Sequence, residues 1–249
     1  MIVVITMAGQ GKRFRDAGYD CPKYMIKARG KTLFEWSMDS LVGYNPYVSK
    51  YVFVTRQEDK ADSFIREHCR GFSIPDVEII ELDHQTDGQA TTAMVALERC
   101  QDDESVLIYN IDTYVEPYAM QHRELTGDGH IPCFKALGDH WSFVKTDEGG
   151  LVREVREKQR ISNNCSVGAY YFLSVDLYRT IYKEFYGQQE NVAIKEKYIA
   201  PMYNYMIQKG YEVTMSLIDK DKVHVLGTPE ELEEFKILGT VRQYFTVER

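Results

Sequence analysis

Gly9 and Gly11 stand at the end of an apolar run, Ile2 to Met7, and two cations, Lys12 and Arg13, follow at once. A further cation, Lys23, comes directly after Pro22. A loop without β-carbons at positions 9 and 11 can bring backbone N–H groups within hydrogen-bonding distance of phosphate oxygens. Lys12, Arg13 and Lys23 can neutralise the charge of such a ligand, Arg13 through a bidentate contact. A triphosphate suits this chemistry; the plainer alternative is a tight strand-to-helix turn with solvated cations. Two familiar phosphate loops do not fit. The dinucleotide fingerprint needs a third glycine where Phe14 stands, and the ATP-binding P-loop needs Ser or Thr where Arg13 stands.

Further along, Leu82–Thr92 is a polar loop running into an Ala- and Thr-rich segment. The Gln85 amide is both donor and acceptor, which suits the edge of a pyrimidine. Gly88 permits close backbone approach to a flat base. The same stretch also reads as a helix cap supplied by Asp87, Thr91 or Thr92. Asp112 follows the apolar run Val106–Ile111. A carboxylate just past a buried strand either holds a metal or caps the next turn. Glu157 and Lys158 end an alternating segment and otherwise read as a solvated ion pair. Tyr198 and Asn204 suit either acceptor contacts or core packing.

These residues need a scaffold that gathers them. Near-continuous apolar runs at 2–6, 50–55, 77–81 and 106–111 predict buried strands, with helical patterns at 33–41, 59–69 and 90–99 between them. Such alternation predicts an α/β fold with a mainly parallel sheet covered on both faces. Strands are expected at 131–136, 142–145, 151–157, 167–173 and 212–218, with helices at 175–185 and 199–209. In open α/β sheets ligands sit beyond the carboxyl ends of the strands, which would collect the glycine loop, the turn near residue 85 and Asp112 on one edge.

The sequence Met7-Ala8-Gly9-Gln10-Gly11-Lys12-Arg13-Phe14, with Gly18-Tyr19 and Pro22-Lys23 behind it, resembles the signature of the sugar-nucleotidyltransferase superfamily. It is most similar to a branch found in bacterial capsule and surface-polysaccharide gene clusters. The resemblance implies a three-layer, Rossmann-like mixed sheet of the nucleotide-diphospho-sugar transferase type, spanning 1–249 as one domain. A nucleotide-binding half would reach about residue 115 and an acceptor-binding half the remainder. It implies nucleotide contacts from Met7, Ala8, Gly9, Gly11, Lys12, Arg13, Lys23, Gln85, Gly88, Gln89 and Asn110. It implies an Mg²⁺ ligand in Asp112, acceptor contacts from Glu157, Lys158, Gly168, Tyr198 and Asn204, and catalytic roles for Arg13, Lys23 and Lys158. The chain departs from the pattern at Val223–Leu232. Many members place a second metal-binding aspartate two residues before the glycine of Gly227-Thr228-Pro229, where this chain has Val225. Asp219 or Asp221 could substitute, or Asp112 could serve with phosphates and water. Thr228-Pro229 also reads as a helix start with acids in the first turn.

Composition narrows the function. The net charge of −8 argues against non-specific nucleic-acid binding. Five cysteines scattered singly favour reduced thiols over a disulfide framework or a zinc site. No basic leader with a long apolar segment, and no run of about 18 apolar residues, is present, so a soluble cytoplasmic protein without membrane contact is expected, open to homo-oligomerisation. The expected reaction is NMP transfer from an NTP, with CTP or UTP favoured, to a sugar phosphate or other phosphorylated acceptor, releasing pyrophosphate. That is a cytidylyltransferase-like activity in capsule or surface-polysaccharide biosynthesis. Two rivals are a glycosyltransferase of the same fold, which normally carries Asp-x-Asp where this chain has Asn110-Ile111-Asp112, and a non-catalytic nucleotide-sensing module.

Overall fold

The computed structural model describes residues 1–72, 74 and 76–245, with residues 238–245 by their backbone alone. The strands are β1 (Ile2–Thr6), β2 (Lys27–Ala28), β3 (Lys31–Thr32), β4 (Lys50–Arg56), β5 (Val77–Leu82), β6 (Val106–Asn110) and β7 (Thr113–Val115). They continue as β8 (Gly129–Lys135), β9 (Ser142–Thr146), β10 (Val152–Glu157), β11 (Asn164–Ser166), β12 (Ala169–Phe172), β13 (Val213–Leu217) and β14 (Val223–Val225). The helices are α1 (Lys12–Asp16), α2 (Leu33–Asp39), α3 (Asp62–Gly71), α4 (Gln89–Leu97), α5 (Val175–Gly187), α6 (Met202–Gln208) and α7 (Pro229–Phe245).

The main sheet runs β10-β9-β11-β8-β12-β6-β1-β4-β5, with β13 pairing β8 in parallel. Its nucleus is the parallel set β5, β4, β1 and β6. Alternation along each strand fills two layers. Val4, Val52, Val54 and Ile108 point to the side covered by α4, α5 and α6. Val3, Ile5, Tyr51, Phe53, Leu107 and Tyr109 face the opposite core, which holds Phe34 and Met38 of α2 and Ile65 of α3. Apolar residues on both faces of the same strands are what a two-sided parallel sheet requires. This is the mixed, mainly parallel α/β architecture expected from the alternation.

β12 runs antiparallel to β6 and β8, and β8 continues past it. The end of β8 (Cys133–Lys135) pairs with β11, whose other edge carries β9 and β10. The expected strand 167–173 is therefore β12 alone, starting at Ala169, and β11 precedes it as a separate strand. Gly168 divides them at φ +80°, a conformation that favours glycine. A third apolar cluster, with Phe14, Leu33, Tyr114, Leu226, Leu232 and Phe235, seats α1 and α7 beside the β7–β14 pair.

Caps follow the sequence. Thr32 and Glu35 form a reciprocal capping box on α2, with Glu35 N donating to Thr32 Oγ1 (3.2 Å) and Thr32 N to Glu35 Oε2 (2.7 Å). Ser174 accepts from Leu177 N at 3.0 Å to start α5. α4 differs from expectation. It begins at Gln89 behind Gly88 with no side-chain cap, and Thr91 and Thr92 lie inside its first turn. The five cysteines are free thiols, and among the described residues no helix is long and apolar enough to cross a membrane.

Candidate active site

The carboxyl ends of β1, β4 and β5 open on two adjoining clefts of about 450 and 470 Å³. Gln10, Arg56 and Glu58 line both. The first is lined by the glycine loop, Gly9, Gln10 and Gly11, together with Pro22 and Lys23. Gly11 has φ +61° as it turns the chain into α1. Met7 is buried beneath the loop, so only its backbone can meet a ligand. Lys12 and Arg13 are exposed, while Arg15 lines the cleft. Sequence reasoning selected Arg13 and passed over Arg15. The helical turn between them sets which cation faces inward.

Lys23 comes from the turn after α1 and Asp112 from the end of β6, and their side chains meet: Lys23 Nζ donates to Asp112 Oδ2 at 2.6 Å. Both are largely shielded, 18% and 24% exposed, which preserves more of their attraction than a surface pair keeps. Backbone bonds hold the acid: Leu226 N donates to Asp112 O at 2.8 Å, beside the β7–β14 ladder. Val225, where many superfamily members carry an acid, pairs with Thr113 in that ladder. Asp219 caps its own turn by accepting from Asp221 N at 3.1 Å. The acid that comes near Asp112 is Glu231, from the first turn of α7. Its Oε2 accepts from Gly227 N at 3.0 Å. Burial raises the Glu231 carboxyl above its ordinary range, opposed by the Thr228 and Gly227 backbone donors, and the Asp112 charge adds to the rise. Thr228 Oγ1 accepts from Glu231 N at 3.2 Å. The sequence marks Glu231 only as an acid in the first turn of a helix, and its proximity to Asp112 comes from the fold.

The loop after β5 carries Gln85, whose Oε1 accepts from Gln10 Nε2 at 2.5 Å, so the two loops touch across the cleft mouth. Gln89 Nε2 donates to Thr6 Oγ1 at 3.1 Å and fixes α4 to the end of β1. Gly88 approaches protein backbone. An added Cβ would stand 2.6 Å from Lys197 N and closer still to Lys197 O, at φ +143°. Lys197 N donates to Asp87 O (2.7 Å) and Ala90 N to Lys197 O (3.0 Å), and the Lys197 ammonium pairs with Asp87 at 2.7 Å. The loop is thereby tied to residues 197–198.

Tyr198 in turn accepts from Lys158 Nζ at 2.6 Å, with the ammonium 4.6 Å from the ring centre. The Tyr198 hydroxyl contact raises the Lys158 pKa above its ordinary value, against a smaller effect of burial. Glu157, adjacent, accepts from Ser142 Oγ. Ser142 Oγ lies 3.1 Å from Tyr170 OH. Burial raises the Glu157 carboxyl, partly offset by the Ser142 bond and the Lys158 charge. Gly168 makes room for Asn110, since a Cβ there would lie 2.5 Å from Asn110 Cγ. Asn110 N donates to Gly168 O at 3.2 Å, while its buried Oδ1 finds no hydrogen-bond partner among the described residues. Asn204 uses both ends of its amide on one residue, accepting from Val155 N (2.8 Å) and donating to Val155 O (2.6 Å). It thus holds β10 in place instead of presenting a free amide. A third cleft of about 330 Å³ adjoins Glu231, walled by Trp141, His224 and Phe235.

Residues 3–133, more than half of the chain, match the MobA-like NTP transferase domain. The chain belongs to this NTP transferase family. A nucleoside-diphosphate-sugar pyrophosphorylase from Vibrio cholerae RC9 shares 34% identity and a TM-score of 0.87, over 95% of this chain and 99% of that one. Two more distant structures share the fold. The inositol-1-phosphate CTP transferase from T. maritima aligns at TM-score 0.75 and 15% identity, over 97% of this chain and 96% of that one. HddC from Yersinia pseudotuberculosis aligns at 0.65 and 19%, over 94% and 99%. No curated protein sequence matches the chain. As an NTP transferase, the protein is an enzyme of the nucleotidyltransferase class, and the glycine-loop cleft falls within the matched residues.

Proposed function

We propose that the chain transfers a nucleoside monophosphate from CTP or UTP to a sugar phosphate or similar phosphorylated small molecule, releasing pyrophosphate. The setting would be cytoplasmic synthesis of surface polysaccharide precursors. The observation that carries this is the contact of Lys23 Nζ with Asp112 Oδ2 at 2.6 Å beside Gly9–Gly11. A cation and an acid far apart in sequence meet where a triphosphate would lie. The 34% identical V. cholerae structure, described as a nucleoside-diphosphate-sugar pyrophosphorylase, supports a sugar-phosphate acceptor. The preference for a pyrimidine rests on the two-sided hydrogen bonding of the Gln85 amide.

Glycine-loop N–H groups cradle the β- and γ-phosphates, with Arg15 on the cleft wall and Arg13 at the loop exit. Lys23 turns from Asp112 to the α-phosphate, where negative charge builds during attack. An oxygen of the acceptor phosphate forms the new bond to the α-phosphorus as the bond to the β-phosphate oxygen breaks. The acceptor is already anionic, so no residue needs to remove a proton. Lys158 neutralises the acceptor phosphate and Glu157 accepts from acceptor hydroxyls. Asp112 offers a hard carboxylate oxygen of the kind Mg²⁺ takes, beside an open point at Gly227. Mg²⁺ bound there would supply charge neutralisation for the phosphates.

Pyrophosphate release, measured across the four NTPs against a panel of phosphorylated acceptors with Mg²⁺, tests the reading. Lys23→Ala and Asp112→Asn should each lower turnover at least ~100-fold while leaving the fold intact. Absence of release in every pair, or near-normal rates in both variants, refutes it.

A further inference from the structure

Gly227 carries no side chain, and the space a Cβ would take there is bounded by two carboxylates. That point lies 3.4 Å from Asp112 Oδ2 and 3.5 Å from Glu231 Oε2. The two acids are distant in the chain, Asp112 just past the end of β6 and Glu231 in the first turn of α7. Each is braced by backbone. Leu226 N bonds the main-chain oxygen of Asp112 at 2.8 Å, and Gly227 N bonds Glu231 Oε2 at 3.0 Å. Asp112 Oδ2 already attracts a cation in the form of the Lys23 ammonium. The other acids of this region do not reach the same point. Asp219 is engaged in its own turn, and Val225, packed against Thr113, has no donor to offer.

We propose that Glu231 is a second carboxylate ligand, acting with Asp112, for the divalent cation of nucleotidyl transfer. Mg²⁺ sites that also bind nucleotide typically combine one or two protein carboxylates with substrate phosphates and water. This pair supplies the protein's share, and α7 thereby becomes part of the reaction centre instead of a distal cover. The inference rests on the transfer reading above but is tested apart from it.

Binding of Mn²⁺ alone to the nucleotide-free protein, followed by the EPR signal of free Mn²⁺, is the direct test. The wild type should show one saturable site. Glu231→Gln keeps an oxygen to accept from Gly227 N–H, so α7 stays capped, yet it should weaken Mn²⁺ about tenfold or more, as Asp112→Asn should. Glu230→Gln removes the same charge from an exposed position in the same helical turn and should change binding less than about twofold. Gly227→Ala, whose methyl enters the gap at ordinary contact distance, should also abolish the site. Mn²⁺ binding by Glu231→Gln equal to wild type overturns the inference, as does a loss in Glu230→Gln matching that in Glu231→Gln. Absence of a saturable site in the wild type overturns it too. If pyrophosphate is released while Glu231→Gln binds Mn²⁺ normally, only this inference falls. If no substrate pair releases pyrophosphate while the Mn²⁺ pattern holds, only the transfer reading falls.

Discussion

Gly88→Ala separates two roles for one glycine. If Gly88 serves only to let a base approach, alanine will weaken nucleotide binding and leave the fold untouched. The structure gives it a second task, packing against the Lys197 backbone. A Cβ 2.6 Å from Lys197 N cannot be accommodated by a side-chain rotation, because the opposing atoms are main chain. Alanine at φ +143° and ψ 177° carries about 1–3 kcal/mol of conformational cost. Separating the strands of chain weakens the hydrogen bonds Lys197 N to Asp87 O and Ala90 N to Lys197 O, worth about 1 kcal/mol each. The loss is about 3–5 kcal/mol, or roughly 10 °C in Tm for a protein of this size. Calorimetry of the ligand-free variant reads this directly. The acceptor KM should rise alongside the nucleotide KM, because residue 198 moves with residue 197. A Tm within about 2 °C of wild type, with only nucleotide affinity reduced, would refute the packing argument.

Two further outcomes are expected. His130 is 2% exposed, lies 2.7 Å from Thr214 Oγ1 and 3.1 Å from Ser216 Oγ, and burial pushes its pKa down to about 4. The unfolded chain takes up this proton near pH 6.5 while the native state does not. The stability present above pH 6.5 is thus lost as pH falls towards 4, by about 3 kcal/mol. Denaturant titrations should show this slope flattened in His130→Asn, and an unchanged slope would refute it. Asn204→Ala removes both bonds to Val155 and should lower stability by about 2 kcal/mol. It should raise the acceptor KM, through displacement of Glu157 and Lys158, with the NTP KM unchanged. An unaltered thermal midpoint would refute the bracing role.

The strands of the parallel nucleus were readable because local composition decides them. Val, Ile and Tyr runs at 2–6, 50–56 and 106–110 face apolar layers on both sides, so burial and β-propensity agree. The edge strand β5 was readable too, although the residues between Val77 and Leu82 are only half-buried or exposed. The break at Gly168 was not, since its cause is the Asn110 side chain on another strand. The expected helix from 199 starts at 202, behind Pro201, where the fixed proline φ suits a helix entry. The site divided in the same way. Glycine loop, Lys23 and Asp112 are marked by residue type, and the fold brings Lys23 to Asp112. The Lys197 partner of Gly88, the bracing role of Asn204 and Glu231 beside Asp112 depend on contacts between distant positions. Neither periodicity nor spacing encodes such contacts.

The aromatic packing around α7 has an optical consequence. The chain holds only two indoles. Trp36 lies 5.2 Å from the Phe235 ring and donates to Ala28 O at 2.8 Å. Trp141 donates to Leu137 O at 2.8 Å and shares with Phe235 and Glu231 the walls of the 330 Å³ cleft. Both indoles therefore flank the opening turns of α7, and neither lines the glycine-loop cleft or the adjoining cleft at Gln85. Intrinsic fluorescence in this protein is a local gauge of how α7 seats. Excited beyond the tyrosine absorption band, it reads the surroundings of the Glu231 turn, away from the cleft lined by Gln85. Paired with pyrophosphate release in one stopped-flow trace, it separates movement of that helix from bond breaking without any added label.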